Sequence, residues 1–294
     1  MRKDLALLVA SLALALWVGA LHASDGVACA SLGPYDKDDA YQRWRDIATN
    51  PYIVGDSGTF YDAKTVQVCY ATVAERFTGI VEGFALKPFF AYQFKMEGKV
   101  PAPLDWPTSY DPVGTPAHWA NEQLGYHGRW WRSIYSASGA YLSGRNASDS
   151  EYNAIKAAGF VDVNGDIHVF SGYLLFDYGI TNETGYLYRE FLCDSSLHVL
   201  WRTSQRTPTA NDSAVRTQTV NPRLTSGWYR RPPGTTVVGV YGEREADRPA
   251  PGTLWLPDGT YPVQLRLTEE SFHETASYSG SWATVMVTDV TFTI

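Results

Sequence analysis

The stretch KTVQVCYATV, residues 64–73, decides the fold class of this 294-residue chain. Apolar Val66, Val68 and Tyr70 alternate with the residues between them over a length typical of one strand. Successive side chains of a β-strand point to opposite faces of the sheet, so a period of two indicates a half-buried strand. The stretch therefore predicts antiparallel sheet with one face against a core.

The same period of two recurs along the rest of the chain. It is present in AYQFKME (91–97), in YPVQLRLT (261–268) and in the final residues TDVTFTI (288–294). Asn164-Gly165 lies between two such runs and is a strong signal for a two-residue hairpin turn. These patterns predict an all-β, antiparallel protein.

Two short stretches carry helical signals. SDSEYNAIKAAG (148–159) begins with Ser148 and Glu151 at the spacing of a capping box. PAHWANEQLG (116–125) opens on a proline and closes on Gly125, which is typical of a short helix. We therefore expect one or two short helices, together with long loop insertions between the strands.

The stretch GFALKPFFAYQFKMEG (83–98) contains the spacing Leu86-x-Pro88-x-x-x-Tyr92. It resembles the signature of fibronectin type III and related immunoglobulin-like sandwiches, where the tyrosine begins a strand and its hydroxyl bonds back to the corner backbone. LPDGTYPVQLRL (256–267) is similar to the closing strands of extracellular immunoglobulin-like modules. The two phenylalanines after Pro88 depart from the usual turn residues of that family. The resemblance implies an immunoglobulin-like β-sandwich.

The N-terminus has the layout of a secretory signal peptide. Arg2 and Lys3 precede an uncharged apolar run, 5–20, and small residues follow. This run is shorter than the roughly 20 residues that a spanning helix needs. We predict a signal peptide at 1–23 and no membrane span.

The mature chain, 24–294, is predicted to fold as a single elaborated β-sandwich domain. The polar stretch 203–235 is a possible internal boundary. An exported chain of this kind is expected outside the cell or at its surface, and in the periplasm if the source is a Gram-negative bacterium.

The net charge of −7 limits the classes of partner. Phosphate contacts require clustered Lys and Arg, so an acidic chain is unsuited to nucleic acid and to anionic membranes. Other surface proteins, further copies of this chain and glycans remain as candidate partners.

The three cysteines, Cys29, Cys69 and Cys193, predict one disulfide and one thiol in an oxidising compartment. We favour Cys69–Cys193, because both residues lie in strand-like segments. Three N-x-S/T sequons are candidate glycosylation sites in a glycosylating host, at Asn146, Asn182 and Asn211.

The stretch HWANEQLGYHGRWW (118–131) concentrates chemistry-bearing residues. His118, Glu122 and His127 form a legitimate ligand set for zinc or copper if they converge. The tryptophans and one amide could form a sugar-binding surface within the proline-stiffened loop 104–131, with Trp106, Trp119, Trp130, Trp131 and Asn121 as its candidate residues. Burial of the rings as a satellite core is the expectation that we favour, because tryptophan is highly buried on average.

The sequence therefore predicts a secreted, non-catalytic β-sandwich protein that acts as a surface, matrix or filament component or as a binding module, without a cofactor. This expectation rests on the signal peptide and on the lack of recognisable motifs such as the G-x-S-x-G nucleophile elbow. Two alternatives remain open: a carbohydrate-binding protein that uses loop 104–131, and a metal-dependent enzyme at His118, Glu122 and His127.

Overall fold

A computed structural model describes most of the predicted strands and both helices. The described residues are 26–35, 64–86, 91–99, 115–182, 184–202, 212–219, 237–243, 248–250, 252–270 and 282–294. The predicted signal peptide and most of the stretch 203–235 lie outside them. No helix within the described residues is long and apolar enough to cross a membrane.

The described chain is all-β with two short helices, which confirms the predicted class. The strands are β1 Val27–Pro34, β2 Thr65–Ala71, β3 Thr78–Phe84, β4 Ala91–Gly98, β5 Arg129–Tyr135, β6 Tyr141–Ala147, β7 Ile167–Ile180, β8 Leu187–Leu192, β9 His198–Arg202, β10 Asp212–Thr219, β11 Val237–Glu243, β12 Thr260–Glu270 and β13 Trp282–Thr293. The helices are α1 Pro116–His127 and α2 Asp149–Ala157.

The strands form two sheets. Ten of them are ordered β6-β5-β7-β4-β12-β13-β1-β2-β3-β8, and a second sheet has the order β10-β11-β9. Every pairing between these strands is antiparallel. Because β9 and β10 share a partner in β11, the strands on the two sides of 203–211 belong to one sheet.

The ten-stranded sheet folds over on itself and packs as a sandwich. The ring centroid of Phe77, which precedes β3, lies 5.7 Å from that of Phe176 in β7 and 4.3 Å from that of Phe292 in β13. Phe191 in β8 is 5.1 Å from Phe176. Aromatic contacts between distant strands of one sheet place the main core between its two halves.

The two halves are joined through β1, which pairs with β2 along most of its length and with β13 at its end. The β1–β13 register places Gly33 opposite Val287 and Pro34 opposite Met286. At the corner that carries the family resemblance, Leu86 and Tyr92 are fully buried, and Pro88 lies outside the described residues. The immunoglobulin-like affiliation itself remains a prediction.

Both helices begin at the predicted residues. Ser148 and Glu151 form the complete capping box of α2, and the Thr115 side chain caps α1. The predicted end of α1 at Gly125 is wrong, because the helix continues to His127 and Gly128 donates the closing hydrogen bond to the Leu124 carbonyl. A helix tolerates an interior glycine when something packs against it, and here the indole of Trp130 does so.

The predicted Cys69–Cys193 pairing is wrong. The disulfide joins Cys29 to Cys69, which are directly opposite in the β1–β2 register with Cα atoms 4.1 Å apart. Cys193 follows β8 as a buried thiol, and burial raises the pKa of that thiol well above its ordinary value. The disulfide partner of Cys69 depends on which strand lies beside β2. The alternation of residues within a single strand does not show which strand will be its neighbour.

The cysteine assignment predicts a specific labelling pattern. The folded protein should react with no thiol reagent, because its one thiol is buried and protonated. The unfolded, unreduced chain should take one label and the reduced chain three. Peptide mapping by mass spectrometry after alkylation of the unreduced chain should place the label on Cys193. A label on Cys29 would contradict the assignment.

Strand β4 is buried on both of its faces. Phe94 and Met96 belong to the main core, and the alternate residues Lys95 and Glu97 are also buried. Lys95 Nζ lies 2.6 Å from Glu97 Oε2, and Arg266 Nη1 of β12 lies 3.2 Å from the same oxygen. Burial alone would raise the pKa of Glu97, but the two cations outweigh it and hold that pKa below its ordinary value.

Candidate functional site

The stretch 118–131 forms α1 and the start of β5, and its rings largely pack inward. Trp130 is fully buried, with its ring stacked on Tyr152 of α2 at a centroid distance of 3.8 Å and an interplanar angle of 9°. Its indole Nε1 donates to Asp149 Oδ1 at 3.0 Å. Together with Phe160 and Phe170 these residues form a second core that fixes α2 to the sheet. Trp130 is therefore not available as a sugar platform.

The other described members of the predicted sugar surface also have structural contacts. Trp119 is half-buried, 4.9 Å from the Tyr261 ring, and Trp131 is half-buried against the main core. Asn121 is buried, where its Nδ2 donates to the Phe170 carbonyl and its Oδ1 accepts from the Gly172 amide. Trp106 lies outside the described residues. The expectation of a satellite core is met by Trp130 most clearly.

The candidate metal ligands do not converge. His118 Nε2 lies 3.6 Å from Glu122 Oε1, but the same oxygen accepts hydrogen bonds from the Tyr152 hydroxyl and the Lys156 ammonium. No group of three His, Cys, Asp or Glu side chains in the described part of the chain could hold a metal ion, so His127 does not complete the set. Because a lysine ammonium already neutralises Glu122, the donor set does not suit a cation.

Electrostatics support this assignment of Glu122 and His127. Partial burial alone would raise the pKa of Glu122, but hydrogen bonds from Lys156 and Tyr152 outweigh burial and lower that pKa. Burial lowers the pKa of His127, and the nearby Arg248 lowers it further. The predicted metal set is thus an anchor of α1 to α2 with a separate neutral histidine at the end of α1.

Two of the predicted glycosylation sites are exposed. Asn146 lies in β6, where its side-chain oxygen accepts from the Tyr173 hydroxyl at 2.8 Å. Asn182 lies after β7, and its side-chain oxygen accepts from the Thr184 and Tyr186 amides of the following turn. Asn211 lies outside the described residues. Their use as acceptors remains a prediction.

A cleft of about 600 Å³ opens where β3 and β8 face the end of β7. We call it the β3–β8 cleft. The chain after β8 closes it from one side, since the Cys193 amide donates to the Phe77 carbonyl and the Leu197 amide donates to the Leu175 carbonyl of β7. The cleft is lined by Val27, Cys69, Tyr70, Ala71, Thr78, Gly79, Ile80, Phe176, Asp177, Arg189, Glu190, Phe191, Leu192, Asp194, Ser195 and Leu197.

The polar lining of the cleft is ordered by its own hydrogen bonds. Arg189 forms a two-point contact with Asp177, at 2.8 Å from Nε to Oδ2 and 3.1 Å from Nη2 to Oδ1. A pairing of this geometry fixes both side chains more firmly than a single hydrogen bond. On the other side, the buried Ser195 hydroxyl donates to Asp194 and accepts from the Gly252 amide.

Two further carboxylates make the lining acidic. Glu190 is exposed and accepts from the Tyr188 hydroxyl at 3.1 Å, and Asp194 is half-exposed. The described charged residues that line the cleft are thus three carboxylates, Asp177, Glu190 and Asp194, and one guanidinium, that of Arg189. The apolar walls and ordered acceptors suit a ligand that has both an apolar face and hydrogen-bond donors.

An exposed tryptophan follows a residue whose backbone is bonded to the cleft lining. The Trp255 side chain is 53% exposed, and the guanidinium carbon of Arg76 lies 3.6 Å from its ring centroid. The preceding residue, Leu254, is fully buried and donates its amide to the Asp194 carbonyl at 3.0 Å. The sequence does not predict that this ring is exposed, because the stretch WLPDGTY indicates only a turn before a strand.

Comparison with known proteins finds no match to a family model, to a curated protein or to a solved structure.

Proposed function

We propose that this protein is an exported, non-catalytic β-sandwich module that binds a ligand in the β3–β8 cleft. The volume and the lining of the cleft are the observations that support this proposal. Its volume of about 600 Å³ falls within the range of roughly 300 to 1,000 Å³ that is usual for small-molecule sites. Apolar walls from Phe176 and Leu197 combine with a few fixed polar groups, which is the composition of sites that bind by shape and orient by hydrogen bonds.

The edge strands of the large sheet favour a ligand-binding module over a filament subunit. A filament built by strand addition would pair an edge strand with a neighbouring chain. The edges of the ten-stranded sheet are β6 and β8, and they carry Arg145 and the pair Arg189-Glu190. Charged side chains on an edge strand disfavour edge-to-edge pairing.

A matched pair of leucine substitutions tests the cleft. Leu192 of β8 lines it and is 43% exposed, whereas Leu142 of β6 is 52% exposed at the opposite end of the sheet. Wild-type protein should bind members of a mixed set of small fragments that includes aromatic amines, aromatic acids and monosaccharides. We expect Leu192→Trp to fill the cleft mouth and weaken this binding about tenfold, which corresponds to about 1.4 kcal/mol. Leu142→Trp should bind as wild type.

Ligand-observed NMR on wild type and both variants would provide the measurement. The proposal fails if no fragment binds wild type. It also fails if Leu192→Trp and Leu142→Trp bind equally well.

A further inference from the structure

The Trp255 ring is unusual among the tryptophans whose side chains the structure describes. Trp130 is fully buried, and Trp119 and Trp131 are half-buried against other residues. Trp255 presents 53% of its surface to solvent, although the residues on either side of it, Leu254 and Leu256, are buried. More than half of this large apolar ring is therefore not packed against the fold, although the leucines on both sides of it are.

The exposed ring is held in a fixed orientation. Arg76 lies over one face of the indole, at 3.6 Å from its centroid, which is a close cation–π contact. Leu254 fixes the backbone through its hydrogen bond to the Asp194 carbonyl. A ring that is already ordered loses little conformational entropy when a ligand stacks on it.

The residues next to the ring and to its partner Arg76 lead to the cleft lining. Asp194, to which the Leu254 amide is bonded, lines the cleft on one side. Arg76 lies two residues before Thr78, which lines the cleft from β3. The backbone segments that hold Arg76 and Trp255 are thus both attached to the lining of the β3–β8 cleft, and neither side chain is itself among the lining residues.

We infer that the ligand of the β3–β8 cleft is a neutral carbohydrate, with one sugar ring stacked on Trp255. This inference rests on the proposed function, because it uses the same cleft. A pyranose has an apolar C–H face that matches an indole, and its hydroxyl groups donate hydrogen bonds to carboxylates such as Asp194 and Glu190. Arg189 neutralises Asp177 in the lining, and the other two carboxylates, Glu190 and Asp194, disfavour acidic sugars.

A cationic ligand is also disfavoured at the ring. The guanidinium of Arg76 already occupies one face of the indole, and a second cation on the opposite face would be repelled by it. The inference therefore keeps the carbohydrate ligand that the sequence offered as an alternative, but it places the stacking residue at Trp255 and not in loop 104–131.

Titration calorimetry with four defined trisaccharides tests the inference. The probes are cellotriose, maltotriose, mannotriose and, as the acidic counterpart, trigalacturonate. Wild-type protein should bind at least one neutral trisaccharide and should not bind trigalacturonate. Trp255→Ala should weaken that binding tenfold or more, and Trp255→Tyr should restore part of it, because a smaller ring still stacks.

Tyr141→Ala is the matched control, because Tyr141 is an exposed aromatic residue of β6 at the far end of the sheet. It should bind as wild type. Equal binding by Trp255→Ala and Tyr141→Ala would overturn the inference. If fragments of other classes bind in a manner sensitive to Leu192→Trp but no trisaccharide binds, the inference is wrong and the proposed function stands. If neither fragments nor trisaccharides bind, both are wrong.

Discussion

Replacing Glu97 by alanine should destabilise the protein by about 3–5 kcal/mol, because it removes the carboxylate that lies against the buried Lys95 and the half-buried Arg266. Lys95 and Arg266 both contact the same carboxylate oxygen, at 2.6 Å and 3.2 Å. Burial already lowers the pKa of Lys95, despite the Glu97 carboxylate beside it. Without that carboxylate the ammonium must lose its proton or remain charged in an apolar setting, and both outcomes cost free energy.

Denaturant unfolding of the variants would measure this loss. The control is Asp289→Ala, which breaks the ion pair that exposed Lys99 forms with exposed Asp289 at 2.9 Å and should cost less than about 1 kcal/mol. A triple methionine replacement of Lys95, Glu97 and Arg266 should recover most of the loss, since removing these three charges together leaves none of the three without its partner. If Glu97→Ala costs no more than Asp289→Ala, the three charges do not form a buried network.

Replacing Trp130 by alanine should cost about 3–5 kcal/mol, the range for deleting a buried indole. The variant loses the stacked contact with Tyr152 and the edge contact with Phe170, and it leaves a cavity under α2. Asp149 also loses the hydrogen bond from the indole nitrogen at the start of that helix. Because the second core depends on this one ring, α2 should detach before the main sandwich unfolds.

Hydrogen exchange followed residue by residue would measure both effects. In Trp130→Ala the amides of α2 should lose protection, while those of β2 and β3 at the other end of the sheet should keep theirs. Trp255→Ala removes an indole of the same size from the surface and should cost only about 1 kcal/mol, the value of an exposed cation–π contact such as that with Arg76. A small loss in Trp130→Ala, equal to that in Trp255→Ala, would contradict the second core.

The fold class follows from local pattern, whereas the arrangement of strands does not. Alternation in 64–73 and 261–268 identifies β2 and β12, and the spacing of Ser148 and Glu151 identifies the start of α2, because each signal is complete within one element. The order of strands depends on contacts between elements far apart in the chain. The position of β1 between β13 and β2 is such a contact, and it is the reason that the disulfide prediction failed.

Burial on the second face of β4 is also invisible in the sequence. The alternation of Phe94 with Lys95 predicts one apolar and one solvated face. The structure buries Lys95 and Glu97 as well, because opposite charges on β4 and β12 neutralise one another. A period of two shows which face of a strand is polar, but it does not show whether that polar face is exposed to solvent.

The candidate site, too, could be predicted from the sequence only in part. The sequence correctly singled out 118–131 as a concentration of rings and polar groups, and the structure assigns most of them to packing. The residues of the β3–β8 cleft come from β1, β2, β3, β7, β8 and the segment that follows β8, so no short motif contains them. Trp255 stands alone in its stretch, and only its exposure in the folded chain distinguishes it.

The Cys29–Cys69 bond has a consequence for proteolysis. It spans a sequence separation of 40 residues and ties β1 to β2. A single cut anywhere between the two cysteines leaves two fragments that remain covalently joined, with β1 still bridging β13 and β2. Nicked and intact protein would then migrate as the same mass without reductant and separate only after reduction. The strand that holds the two halves of the sandwich together is thereby retained after a backbone break in this region.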